Sequence, residues 1–232
     1  MYQRFSRHIV LPEIGVAGQE KLLNASVLIV GVGGLGSPVA LYLASCGVGR
    51  LGIIDHDVVS LSNLQRQILY KECEVGLKKS CCASIRLQEI SSQVIIEQYN
   101  EVLSKENACH LVAQYDLVVD CSDNAATRYL IDEICAQQTK PFVYGAIGAY
   151  SGQVSVFDAR ENWRYINLFP DRLATSKMSP ATQGVIGSLP GIIGSIQATE
   201  VIKIITQLGE PLVKKLFTLD IRTMESHTFK FL

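Results

Sequence analysis

Short apolar runs alternate along the chain with longer segments in which apolar residues recur at helical spacing. Runs that end at turn residues are typical of buried strands, whereas apolar residues three or four positions apart are typical of helices. The pattern predicts strands over Val27–Val30, Leu51–Asp55, Val94–Tyr99, Asp116–Cys121, Pro141–Ile147 and Gln153–Phe157. It predicts helices over Leu35–Cys46, Gly76–Ile90, Ala125–Gln137 and Gly187–Leu208. Because strands that alternate with helices form a mostly parallel sheet, we expect a Rossmann-like α/β fold with a twisted sheet and helices on both faces.

The carboxyl-terminal part departs from this alternation. Residues 159–184 form the longest stretch without clear periodicity, and a loop of that length in a compact domain is usually functional or mobile. Leu216–Leu219 and Thr228–Phe231 predict two closing strands and an antiparallel end to the sheet. We expect one domain over residues 1–232, divided into a helical arm (1–25), a core (26–158), a crossover loop (159–185) and a final helix with closing strands (186–232).

A glycine loop, Gly31-Val32-Gly33-Gly34-Leu35-Gly36, joins the first predicted strand to the first predicted helix. Its spacing is the dinucleotide-binding pattern, in which the first glycine makes the turn, the second lets phosphate approach the backbone, and the third lets helix and strand pack closely. Asp55 ends the next strand, about twenty residues further on, where a carboxylate holds a ribose hydroxyl. The loop therefore predicts a bound nucleotide; the alternative is a purely structural turn.

Polar residues beyond the glycine loop distinguish this chain from an ordinary dinucleotide-binding fold. Asn63, Gln65 and Arg66 follow Asp55, and Lys79 lies in the next predicted helix. Arginine offers a bidentate fork and lysine a point charge, and both suit phosphate oxygens. A nicotinamide dehydrogenase remains possible but would not need these groups. Each residue alone can be solvated surface, but together, at the carboxyl side of adjacent strands, they indicate a triphosphate site.

The segment that follows the fourth predicted strand carries a further carboxylate. Asp123 is expected to face the same crevice, where its oxygens can hold Mg²⁺ that bridges phosphates. The alternative is that Ser122 or Asp123 only caps the following helix.

Composition excludes several classes of protein. A net charge of −1 and a pI near 6.4 give no sign of nucleic-acid binding. No apolar run is long enough to predict a membrane-spanning helix, and the first residues lack the apolar core of a signal peptide. The seven cysteines form no C-x-x-C pair, which indicates reduced thiols. We expect a cytoplasmic protein with no nucleic-acid or membrane partner.

Taken together, the segments resemble the ThiF/MoeB/HesA family of E1-like adenylyltransferases, which activate small ubiquitin-like sulfur-carrier proteins. The resemblance covers nearly the whole chain, and the Ser60–Gln67 segment is highly specific. It rests on Arg4–His8, Gly31–Gly36, Asp55–Asp57, Ser60–Gln67, Gly76 with Lys79, Asp120–Arg128 and Gly187–Lys203.

The resemblance implies that ATP binds at the glycine loop and that the C-terminal glycine of a ThiS- or MoaD-like carrier is adenylated, with release of pyrophosphate, in thiamine or molybdopterin biosynthesis. It implies a homodimer in which Arg7 reaches the ATP of the partner subunit; without a dimer, Arg7 is a surface charge. The strongly apolar segments Val143–Gly152 and Gly184–Gly194 can supply the groove for the carrier tail. The implied catalytic residues are Arg66, Lys79, Asp123 and Arg7, with Asp123 holding Mg²⁺. The expected nucleotide-binding residues are Gly31, Gly33, Gly34, Gly36, Asp55, Asp57, Asn63, Arg66, Gln67, Lys79, Asp123 and Asn124.

The chain departs from the family in two places. Many relatives bind zinc through two C-x-x-C pairs, but Arg164 and Asn167 occupy the positions of the first pair, and the last residues contain no cysteine. We therefore expect no zinc site. Several relatives also use a cysteine of the crossover loop for thioester or acyl-disulfide chemistry. Pro180 or a neighbour stands there in this chain, so a covalent cysteine step on this loop is not expected.

Two other functions stay open. An adenylating relative can act on a non-protein substrate such as a modified tRNA base, although the near-neutral charge argues against tRNA. The chain can also be a nucleotide-binding interaction module without catalysis, which the missing cysteines suggest and the intact Asn63, Arg66, Lys79 and Asp123 oppose. Between the two biosyntheses, overall likeness slightly favours the thiazole branch.

Overall fold

The computed structural model describes residues 3–177 and 184–232. The strands in these ranges are β1 (Ser26–Val30), β2 (Arg50–Ile54), β3 (Ile95–Tyr99), β4 (Leu117–Asp120), β5 (Phe142–Ile147), β6 (Ser151–Phe157), β7 (Lys215–Asp220) and β8 (Glu225–Lys230). The helices are α1 (Ser6–Ile9), α2 (Gly15–Asn24), α3 (Gly36–Cys46), α4 (Lys79–Ile90), α5 (Ala108–Ala113), α6 (Ala125–Gln137), α7 (Tyr165–Leu168), α8 (Arg172–Lys177) and α9 (Ser188–Thr206).

The strands form one mixed sheet in the order β3-β2-β1-β4-β5-β6-β7-β8. Strands β1 to β5 are parallel to one another, and β6, β7 and β8 each run antiparallel to the strand before them. This arrangement confirms the predicted Rossmann-like sheet with an antiparallel carboxyl-terminal end. The strand order reverses between β1 and β4, and ligands of such sheets bind outside the carboxyl ends of the strands at this switch point.

Helices cover both faces of the sheet, and the central strand shows why. Every residue of β1 is buried. Val27 and Ile29 belong to a core that includes residues of α2, α3, α4 and α9, whereas Leu28 and Val30 belong to a core with α5, α6 and α7. A strand covered on both sides needs a continuous apolar run instead of an alternating one. None of the helices in the described ranges combines the length and the apolarity that crossing a bilayer requires.

Some helices and turns differ from the elements predicted from the sequence. Helix α4 begins at Lys79 and not at Gly76, because Gly76 has a φ of +91° and its N–H donates to the Val59 carbonyl oxygen at 2.8 Å. The stretch from residue 159 to 177, for which no regular element was predicted, contains a 3₁₀ turn over Ala159–Glu161 followed by α7 and α8. Elements this short leave little periodicity in a sequence. The crossover-loop position predicted near Pro180 lies outside the described residues.

Candidate nucleotide-binding site

A cavity of about 500 Å³ opens at the carboxyl ends of the central parallel strands. Its walls come from the glycine loop, from the residues that follow β2 and β4, from residues 62–67, and from the start of α4. Residues 147–148 and 184–185 close another side. The volume lies in the range of about 300–1,000 Å³ that is usual for ligand sites, and the place is the switch point of the sheet.

The glycine loop turns tightly between β1 and α3. Gly31 has a φ of +89°, and its N–H donates to the carbonyl oxygen of Ile54 at 2.8 Å. A Cβ at Gly36 would collide with the carbonyl oxygen of Gly31, so only glycine fits at that position. Gly33 and Gly34 face the cavity, where they leave the backbone open to a ligand.

The carboxylate of Asp55 is held at the edge of the cavity by two backbone donors. The N–H of Val32 donates to Oδ2 at 2.9 Å, and the N–H of Asp57 donates to Oδ1 at 2.9 Å. Because an ionised carboxylate has about four acceptor positions, Asp55 can still accept hydrogen bonds from ribose hydroxyls.

Lys79 forms an ion pair with Asp57 in the cavity wall. The Lys79 ammonium donates to Asp57 Oδ2 at 2.8 Å, and the lysine side chain is 5% exposed against 53% for the aspartate. Burial by itself would raise the pKa of Asp57, but the hydrogen bond and charge of Lys79, with a contribution from His56, lower that pKa below its ordinary value. An ammonium has three donors, so Lys79 can donate to a ligand while it keeps Asp57.

Arg66 and Gln67 follow a short 3₁₀ helix, Leu61–Asn63. Arg66 Nη1 donates to the carbonyl oxygen of Ser62 at 3.1 Å, and the arginine lines the cavity. Gln67 is 5% exposed and also lines the cavity, and its Oε1 has no hydrogen-bond partner in the described part of the chain. A buried acceptor left unpaired costs about 1–3 kcal/mol, so Gln67 suits a site in which a ligand donates to it.

The loop after β4 presents the exposed carboxylate of Asp123 to the cavity. It has no hydrogen-bond or ion-pair partner within the described ranges. A free carboxylate suits Mg²⁺, which prefers oxygen ligands. The next residue, Asn124, caps α6, because its Oδ1 accepts a hydrogen bond from the N–H of Thr127 at 2.9 Å. The suggestion that Ser122 or Asp123 provides this cap is therefore wrong.

The structure brings most of the predicted nucleotide-binding residues to this one cavity. They are Gly31, Gly33, Gly34, Asp55, Asp57, Arg66, Gln67, Lys79, Asp123 and Asn124. Two others, Gly36 and Asn63, do not line it. Gly36 packs against the loop, and the backbone carbonyl oxygen of Asn63 accepts hydrogen bonds from the N–H groups of Arg66 and Gln67 at 3.0 and 2.9 Å. Arg7 is exposed in α1 and does not line the cavity of its own chain.

Arg128 is a charged cavity residue for which the sequence pattern predicted no role of its own. Arg128 lines the cavity although it is only 7% exposed, and Asp120, at the end of β4, is fully buried beside it. An acidic residue that ends an otherwise apolar strand is the available signal, since charged residues are rarely buried without a partner.

Arg164 and Asn167 occupy the positions of the family's first cysteine pair, and both make hydrogen bonds within the chain. Arg164 Nη2 donates to Oδ2 of the buried Asp132 at 2.8 Å. Asn167 Oδ1 accepts the N–H of Arg164 at 2.8 Å, next to the start of α7. Neither side chain is a thiolate ligand for structural zinc.

The family comparison agrees with this geometry. A family model described as "ThiF family" matches residues 5–231. The chain belongs to the ThiF family. This confirms the resemblance found in the sequence. Individual ThiF-family relatives show the degree of sequence identity and the share of each chain that is matched.

Two curated ThiF-family relatives illustrate the match. "Adenylyltransferase and sulfurtransferase MOCS3-1" of Zea mays is 45% identical over 221 residues, which are 95% of this chain and 47% of that protein. "Probable molybdopterin-synthase adenylyltransferase" of Porphyra purpurea is 44% identical over 207 residues, which are 88% of this chain and 54% of that protein. The chain therefore spans about half the length of the curated relatives it matches.

Solved structures share the ThiF-type fold. A crystal structure of E. coli MccB with ATP superposes with a TM-score of 0.85 at 24% identity, covering 98% of this chain and 70% of the MccB chain. The structure of PaaA superposes with a TM-score of 0.84 at 26% identity, covering 99% and 73%.

Proposed function

We propose that this ThiF-family chain is an ATP-dependent adenylyltransferase that acts on the C-terminal glycine of a ThiS- or MoaD-like sulfur carrier. One observation carries the proposal: a single cavity combines the glycine loop with the cations Arg66 and Lys79 and the free carboxylate of Asp123. The adenylyltransferase names of the curated relatives support the same reaction.

ATP in this cavity would lie across the switch point, with its ribose at Asp55 and its phosphates over the glycine loop. The N-terminus of α3 favours an anion at the loop. Arg66 and Lys79 would donate to phosphate oxygens, and Asp123 would hold Mg²⁺. When bound, Mg²⁺ would neutralise charge on the phosphate oxygens.

In the proposed reaction, a carboxylate oxygen of the terminal glycine attacks the α-phosphorus of ATP. A bond forms between these two atoms, and the bond from the α-phosphorus to the oxygen that bridges to the β-phosphate breaks. Pyrophosphate leaves with the bonding electrons, and an acyl-adenylate of the carrier remains. The chain contributes chiefly by positioning the reactants and neutralising charge, which are large terms in reactions of this kind.

The cavity also has a side that suits a glycine tail. Ile147, Gly148, Gly184 and Val185 line it, and two of these residues have no side chain beyond hydrogen. Small and apolar walls leave room for an extended backbone and exclude bulky side chains. The expected groove over Val143–Gly152 and Gly184–Gly194 therefore meets the nucleotide cavity in these residues.

Pyrophosphate exchange tests the proposal. Labelled pyrophosphate should enter ATP when the protein is incubated with the correct carrier, and should not do so with a carrier that lacks its last glycine. Testing ThiS-like and MoaD-like carriers side by side also assigns the thiamine or the molybdopterin branch. Absence of exchange with every such carrier of the source organism would contradict the proposal.

We further propose a homodimer in which Arg7 acts on the partner's ATP, because Arg7 is exposed and does not line its own cavity. Mixing the Arg7→Ala variant with the Asp123→Ala variant should restore part of the exchange activity, since mixed dimers contain one complete site. A mixture no more active than the two variants alone would argue against this arrangement.

The other partner and cofactor assignments rest on the state of the cysteines, the net charge and the contacts of two residues. The cysteines, all within the described ranges, form no disulfide, which suits a reducing cytoplasm. A net charge of −1 supports the absence of a nucleic-acid partner. The contacts of Arg164 and Asn167 support a protein without the family's zinc.

A further inference from the structure

We propose that the buried pair Asp120 and Arg128 positions Asp123 for metal binding. Neither residue has a role in the nucleotide site described above, although Arg128 reaches the cavity wall. The inference rests on the proposed adenylation function, and it adds positioning residues to that site.

The pair holds every backbone and side-chain polar group of Ser122, the residue before Asp123. Asp120 Oδ1 accepts hydrogen bonds from the N–H of Ser122 at 3.0 Å and from its Oγ–H at 2.6 Å. Arg128 Nη2 donates to the carbonyl oxygen of Ser122 at 3.0 Å. Ser122 is thus held at both ends: Asp120 binds its N–H, and Arg128 binds the carbonyl oxygen of the peptide that joins it to Asp123.

The residue after Asp123 is fixed as well, because Asn124 caps α6. Asp123 therefore lies between two anchored residues while its own carboxylate stays free. Metal sites depend on residues that orient the ligands, and the loss of one such residue typically lowers metal affinity by about 10–100-fold.

The pair is anchored in turn to the rest of the fold. Asp120 is fully buried, and its carbonyl oxygen accepts a hydrogen bond from Gln197 Nε2 of α9 at 2.8 Å. The Arg128 guanidinium lies over the ring of Tyr144, 5.4 Å from its centroid. Strand β4, helix α6 and helix α9 therefore all contribute to the position of one loop.

The hydrogen bonding of the Asp120–Arg128 pair is too incomplete for the pair to be explained by its contribution to the stability of the fold. Asp120 Oδ2 and Arg128 Nε are 3.7 Å apart, and neither atom has a hydrogen-bond partner in the described residues. Burial raises the pKa of Asp120 above its ordinary value despite the nearby arginine, so the carboxylate is costly to keep ionised. Buried ion pairs with incomplete hydrogen bonding are often replaceable by apolar residues without loss of stability. A role in holding the loop explains why the charges are present.

Arg128→Lys tests the inference because it keeps the positive charge and removes the guanidinium fork. With ATP present, Mn²⁺ binding measured by electron paramagnetic resonance should weaken by about 10–100-fold, the usual effect of losing an outer-shell partner. The Mg²⁺ concentration for half-maximal exchange should rise in parallel, with an exchange rate at saturating Mg²⁺ close to that of the wild type. Ser122→Ala, which removes only one donor to Asp120, should weaken Mn²⁺ binding less and serves if Arg128→Lys does not fold.

Arg164→Lys is the matched control, because Arg164 also pairs with a buried carboxylate but does not line the cavity. Its Mn²⁺ affinity should equal that of the wild type. In an Asp123→Ala background, Arg128→Lys should cause no further loss of Mn²⁺ binding. Wild-type Mn²⁺ affinity in both Arg128→Lys and Ser122→Ala would overturn the positioning role alone. A wild-type protein that binds no Mn²⁺ beyond that held by free ATP would overturn the proposed metal site together with this inference.

Discussion

Replacing Asn124 by alanine removes the side-chain acceptor at the N-terminus of α6. The Asn124 Oδ1 accepts the N–H of Thr127 at 2.9 Å, so the alanine variant leaves that donor without its partner. Loss of such a cap costs about 0.5–2 kcal/mol, typically about 1 kcal/mol. In a domain of this size, 1 kcal/mol lowers the melting temperature by about 2–4 °C. Calorimetric or circular-dichroism melting measures the shift directly.

A second variant separates the cap from the predicted contact with the nucleotide. Asn124→Ser keeps a good capping oxygen but removes the amide donors. It should melt close to the wild type and, if the amide reaches the nucleotide, bind ATP more weakly in isothermal titration calorimetry. Equal melting temperatures of the alanine and serine variants would refute the capping argument. Equal ATP affinities of the serine variant and the wild type would refute the nucleotide contact.

Two further substitutions test the geometry of the site. Gly36→Ala should lower the melting temperature far more than Gly191→Ala, since a Cβ at Gly36 meets a carbonyl oxygen whereas one at Gly191 meets no atom within 4 Å; comparable melting of the two variants would be inconsistent with the tight loop. Lys79→Met should raise the pKa of Asp57, measured by NMR titration, because the cation that lowers it is lost while burial remains. Since the folded pKa of Asp57 is lowered, the pair stabilises the fold above about pH 4 and loses this effect as the pH falls through the folded pKa. The difference in unfolding free energy between wild type and Lys79→Met should therefore shrink in acid, and a constant difference would contradict the ion pair.

The parallel part of the sheet could be predicted from the sequence, because strands that are covered on both faces leave continuous apolar runs. The Val27–Val30 run is an example: the observed strand begins only one residue earlier, at Ser26. Short elements were not predictable in the same way. Helix α7 has four residues, and its position depends on contacts with α6, such as the hydrogen bond from the N–H of Tyr165 to Asp132 at 2.8 Å. Such contacts join residues far apart in the chain and leave no local period.

The same distinction applies to the candidate site. The roles of Gly31 and Asp55 could be predicted from their spacing, because the turn and the following strand are local features. That Asn63 does not line the cavity could not be predicted in this way, because it depends on the 3₁₀ helix over Leu61–Asn63, which is too short to leave a period in the sequence. The pairing of Asp120 with Arg128 could not be predicted either, because it requires the helix after β4 to fold back over the end of the strand.

Carrier-dependent pyrophosphate exchange by the wild type and by Asp123→Asn tests most directly whether this cavity adenylates a carrier. Asparagine has nearly the same size and keeps one oxygen ligand, but it lacks the negative charge with which Asp123 would hold Mg²⁺. We expect exchange by the wild type and a loss of about 100-fold or more in the variant, the scale found when a charge-stabilising group is removed from an active site. A folded Asp123→Asn protein that exchanges pyrophosphate at the wild-type rate would contradict the assignment of adenylation to this cavity.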